Sequence, residues 1–109
     1  MERPTSAPPS AETWLAEYRE RLDVIRVRVE QARDRATAVT ATAQTRDGAV
    51  AVTVDASGAV TDLRFGVRAD DLPRARLAGT VLRLCREAAA DARSQVEKIM
   101  EPLTSGGSR

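Results

Sequence analysis

The sequence predicts an α+β fold of order α-β-β-β-α, a three-stranded antiparallel meander between two long helices. Three observations predict it. Apolar residues recur in a 3-4 rhythm from Leu15 to Val39, the spacing of one helix face. Short β-branched segments then alternate with period two around two glycine turns. A helical rhythm returns from Leu77 to Leu103.

Residues 1–9 contain three prolines and no apolar run, so they are expected to be a disordered leader and not a signal peptide. Ser10 is placed to cap a helix, with Glu12 in the first turn favouring its dipole. The helix is expected to reach about Thr37, with its seam on Leu15, Tyr18, Leu22, Ile25, Val29, Ala32, Ala36 and Val39. Counting Leu15 as a heptad a position, Arg19, Arg26 and Arg33 fall at e, and Arg21, Arg28 and Arg35 at g. At ~1.5 Å per residue the helix is about 40 Å long, against a radius of gyration near ~13 Å for a compact chain of this size. It is therefore expected to project from a globular body or to lie along a dimer.

Beyond Thr37, Val39, Ala41 and Ala43 alternate with threonines, the pattern of a first strand. Arg46-Asp47-Gly48 signals a hairpin. Val50, Val52 and Val54 share one face of a second strand, which ends in a turn at Asp55-Ala56-Ser57-Gly58. Val60 opens a third strand out of phase with Leu63, Phe65 and Val67, which predicts a bulge near Thr61–Asp62. Asp70 and Asp71 are candidate caps for the second helix, with Pro73 at its first position and Pro102 at its end. Its stripe runs Leu77, Val81, Leu84 and Ala88, then Ala92, Val96, Ile99 and Leu103 after a one-residue slip. One domain is expected over residues 10–103, with a disordered tail over 104–109.

In 109 residues there are only three aromatics, Trp14, Tyr18 and Phe65, which makes a thin core. A domain this poor in bulk is usually completed by a second copy, so a homodimer is expected. No segment approaches the ~20 apolar residues of a membrane helix, and a cytoplasmic protein is expected. Lys98 is the only lysine among 17 cationic side chains, a usage typical of a bacterial genome rich in G and C. Catalysis is not expected. The chain has no histidine to act as base or metal ligand, and Cys85 lies on an apolar stripe as a small core residue. No cofactor and no metal are expected.

The net charge is only +1, but residues 73–109 carry seven cationic against four acidic side chains. Arg74, Arg76, Arg83 and Arg86 all precede the first acid, Glu87. Arg76, Arg83, Arg86 and Arg93 share one helical stripe, a ridge able to receive phosphates or to stand as a salt-bridged surface. The first helix is neutral, because Glu17, Glu20, Asp23, Glu30 and Asp34 accompany its arginines, which therefore also suit a solvated flank. No base-reading motif is present. Any contact with nucleic acid would go to the backbone, with weak sequence selectivity and strong salt dependence.

Arg46-Asp47-Gly48-Ala49-Val50-Ala51-Val52-Thr53-Val54, the Asp55–Gly58 turn, Val60-Thr61-Asp62-Leu63-Arg64-Phe65 and the Leu77…Ala88-Ala89…Ala92 helix carry a resemblance. Over roughly residues 15–100 the chain resembles the YbaB/EbfC family of bacterial nucleoid-associated proteins, as a divergent, actinobacterial-type member. The resemblance implies a tweezer-like homodimer whose helical arms bind double-stranded DNA on the nucleoid. The contacts would fall on Arg19, Arg21, Arg26, Arg28, Arg33 and Arg35, with Arg76, Arg83 and Arg86 on the second helix. The alternative is a protein–protein adaptor that uses the amphipathic first helix to hold a helical partner, of the kind linked to a specialised secretion system.

Overall fold

A computed structural model describes residues 9–105; residues 1–8 of the expected leader and 106–109 of the expected tail lie outside the described residues. The elements are α1 (Pro9–Thr37), β1 (Thr40–Gln44), β2 (Val50–Asp55), β3 (Val60–Phe65), a 3-10 turn (Val67–Asp71) and α2 (Arg74–Ser105). The α-β-β-β-α order is the predicted one. The chain divides into two units, residues 1–31 and 32–109, each described by itself.

In the first unit, every residue of α1 from Ser10 to Arg28 is exposed. The seam residues Leu15, Tyr18, Leu22 and Ile25 are exposed, and Val29 is half-buried. Trp14 and Tyr18, one turn apart, stack with ring centroids 5.5 Å apart. Ser10 lies inside the helix, so it is not the cap.

The second unit holds the sheet, in the order β1-β2-β3 with both pairs antiparallel. Two aspartates shape its turns. Asp47 accepts hydrogen bonds from Thr45 Oγ1 at 2.9 Å and the Ala49 amide at 3.0 Å, while Gly48 takes φ 75°. Asp55 accepts from the Ser57 amide, the Ser57 hydroxyl and the Ala59 amide, while Gly58 takes φ 90°. Both glycines occupy the left-handed region that side chains resist. The bonds from Ala49 and Thr45 hold the Asp47 carboxyl below its ordinary value, and those from Ser57 and Ala59 do the same for Asp55.

Thr53 pairs with Asp62 and Val54 with Val60, so Thr61 is the extra residue of the predicted bulge. Its hydroxyl donates to the Thr53 carbonyl at 3.3 Å. The bulge returns Val60 to the same face as Leu63 and Phe65, opposite Val54, Val52 and Val50. On the other face, Thr42 and Thr53 share a hydroxyl hydrogen bond of 2.8 Å.

α2 packs on β2 and β1. Beneath it Val50, Val52, Val54, Leu84 and Ala92 are completely buried, joined by Val39, Ala41, Ala49, Ala69 and Ala88. None of the three aromatics belongs to this core. Gly66 closes the sheet from the side: its amide donates to the Ala49 carbonyl at 2.8 Å, and a Cβ there would overlap the Gly48 carbonyl oxygen.

Three local expectations need correction. Asp70 and Asp71 lie in the 3-10 turn and make no hydrogen bond to the start of α2; the Pro73 carbonyl accepts the first helical bond, from Leu77, at 2.8 Å. Proline thus sits one place earlier than predicted, at the cap itself. Val67 opens that turn and does not extend β3. Finally, α2 continues through Pro102 to Ser105, overrunning both the expected stop and the first two residues of the expected tail. The proline removes one amide donor close to the helix end, where Lys98 is exposed and water can serve its carbonyl.

Candidate nucleic-acid interface

All nine arginines singled out in the sequence are exposed. In the first unit, Arg19, Arg21, Arg26 and Arg28 stand on the uncovered length of α1. Arg26 bonds Asp23 one turn back at 2.7 Å. Arg19, Arg21 and Arg28 have no carboxylate partner among the described residues. A shallow groove on this helix is lined by Glu17, Glu20, Arg21, Val24, Ile25 and Arg28.

The remaining five belong to the second unit. Arg33 and Arg35 flank the buried Ala32 and Ala36 near the end of α1. Arg76, Arg83 and Arg86 lie on the side of α2 turned away from Leu84, Ala88 and Ala92, as 100° per residue requires. Gly79 shares that side, and nothing lies within 4 Å of where its Cβ would be. Arg83 bonds Glu87 at 2.9 Å; Arg76 and Arg86 have no carboxylate partner among the described residues. The Arg83 and Glu87 side chains are both more than half exposed, so their pair contributes at most ~1 kcal/mol and a phosphate can replace the carboxylate.

No helix of the described residues is long and apolar enough to cross a membrane. Cys85 is half-buried and packs against the core. Against this geometry, the model of the YbaB/EbfC DNA-binding family matches residues 15–108. The chain belongs to the YbaB/EbfC DNA-binding family. No individual curated protein matches it.

In this YbaB/EbfC protein, helical periodicity was enough to find the exposed arginines. It was not enough to find the uncovered apolar row on β3, where Val60, Leu63 and Phe65 are 49%, 41% and 52% exposed. The available signal was the width of the fold: α2 runs over two strands and the sheet has three.

Proposed function

We propose that this YbaB/EbfC protein acts as a non-enzymatic homodimer that binds double-stranded DNA with weak sequence selectivity, on the nucleoid in the cytoplasm. Arginine side chains neutralise phosphates, and no cofactor takes part. One observation carries the reading. The first half of α2 offers Arg74, Arg76, Arg83 and Arg86 to solvent with no acid before Glu87. Cations in the first turn of a helix oppose its dipole, and an anion bound there relieves that conflict. Arg19, Arg21, Arg26, Arg28, Arg33 and Arg35 on α1 supply further phosphate contacts.

Gel retardation on two unrelated random-sequence duplexes tests the reading. Comparable retardation of both in ~50 mM salt, lost as salt rises, is the expected result. No retardation at micromolar protein contradicts it.

The bare seam of α1 favours a second reading, a protein–protein adaptor. Leu15, Tyr18, Leu22 and Ile25 are exposed between borders of arginine. Such a seam suits a helix with acidic flanks. A pull-down returning one acidic helical protein and no nucleic acid would favour this reading over DNA binding.

A further inference from the structure

We propose that the uncovered length of α1 seats one amphipathic helix with acidic flanks, and that this helix competes with DNA for Arg19, Arg21, Arg26 and Arg28. The docking rests on the bare seam. The competition rests on the DNA-binding reading and gives it a regulator.

The sorting of charge around α1 is the first reason. Between Leu15 and Arg28 the heptad places Leu15, Tyr18, Leu22 and Ile25 at a and d, and every arginine at e or g. Every acid of the same stretch, Glu17, Glu20 and Asp23, falls at b, c or f, away from the seam. α1 is neutral as a whole, yet it shows a wholly cationic border to a chain lying on this seam. Arg26 bonds Asp23 at 2.7 Å, but both side chains are more than half exposed, so a better-placed carboxylate can replace Asp23.

The same border says which chain does not sit there. In a parallel pair of helices e faces g of the partner, and in an antiparallel pair like positions face each other. Either way a second copy of α1 sets arginine against arginine. A different helix with glutamate at e and g meets all four arginines with opposite charge.

The length on offer is bounded. Ser10 to Arg28 is exposed throughout, whereas Val29 is half-buried and the next seam residues, Ala32 and Ala36, are buried. At ~1.5 Å per residue the free stretch is about 28 Å, between two and three heptads.

Docking and phosphate binding exclude each other at these positions. Acidic flanks neutralise the four guanidiniums and leave only the arginines of the second unit to hold DNA. By linkage, a bound duplex weakens helix docking by the factor through which the helix weakens the duplex.

Synthetic peptides of about three heptads serve as probes: leucine at a and d with glutamate at e and g, the same with lysine at e and g, and a scrambled acidic control. Trp14, the only tryptophan, stacks on Tyr18 of the seam and reports docking by its fluorescence. The glutamate peptide is expected to shift Trp14 emission saturably and to weaken duplex binding about tenfold, and the other two to do neither. The slope of log K against log salt should fall by about 0.9 for each arginine withdrawn. Arg19→Glu/Arg21→Glu/Arg26→Glu/Arg28→Glu is expected to prefer the lysine peptide, an inversion that damage to the fold cannot produce.

Docking of no peptide, equal docking of the glutamate and lysine peptides, or docking that leaves duplex affinity and slope unchanged each overturns the proposal and leaves the DNA reading intact. A Trp14 response to vesicles of phosphatidylglycerol and phosphatidylcholine, with none to the peptides, also overturns it and assigns the seam to a lipid surface. Absence of duplex binding overturns the DNA reading and the competition together, and the peptide inversion then decides the docking alone.

Discussion

Val52 and Leu63 are direct partners across the β2–β3 ladder, yet Val52 is completely buried and Leu63 is 41% exposed. They share a face and differ only in what lies above them. α2 packs over β1 and β2, so the valines of β2 are sealed beneath Leu84, Ala88 and Ala92 while the matching row of β3 is not. The chain's largest apolar side chains, Trp14, Tyr18 and Phe65 among them, lie outside its own core.

That division sets an expectation for stability. Leu84 is completely buried and is the largest side chain so placed. Leu84→Ala should cost about 2–5 kcal/mol in urea unfolding, the range for a buried leucine replaced by alanine. Leu22→Ala, on the exposed α1 seam, should change stability by no more than about 0.5 kcal/mol.

Two glycines should respond in opposite senses to alanine. A Cβ at Gly66 meets the Gly48 carbonyl oxygen and must push apart the hairpin and the Gly66–Ala49 hydrogen bond. Gly66→Ala should lower the melting temperature by several degrees. Gly79 stands in open space inside α2, so Gly79→Ala should raise stability by about 0.5–1 kcal/mol through helix propensity. Thermal melts of the two variants check both signs.

These contrasts mark how far the sequence reads. Period-two valines, Arg46-Asp47-Gly48 and the phase slip at Val60 encode strands, turn and bulge locally, and each is where the pattern put it. Gly66 could not be ranked that way, because its importance comes from Gly48, a residue distant in sequence and adjacent in space. Likewise, alternation assigns Leu63 to a face but does not say whether a helix covers it. Asp70 and Asp71 satisfy the composition of a cap, yet the 3-10 turn places Leu72 and Pro73 between them and α2. For the arginines, 100° periodicity was sufficient to locate an outer ridge, whereas the pairing of Arg83 with Glu87 depends on rotamers.

Acid should weaken the fold through its turns. Asp47 and Asp55 have carboxyls held below the ordinary 3.8 by hydrogen bonds in the native state. A lowered native value stabilises fully above the unfolded value and is lost as pH falls through the native one. Stability should therefore be level above pH ~5 and fall below pH ~4. Asp55→Asn removes one of these groups and should lower the melting temperature at pH 7 while flattening the acid limb. Melts between pH 7 and 2.5 measure both effects.

The most direct measurement of arginine–phosphate binding is the salt dependence of duplex affinity for the native chain and for Arg76→Gln/Arg86→Gln. Each lost phosphate contact should reduce the slope of log K against log salt by about 0.9. The double variant should bind more weakly to every duplex tested, with a slope shallower by roughly two for each chain that engages the DNA. An unchanged slope and affinity in the double variant would show that these guanidiniums do not meet phosphate.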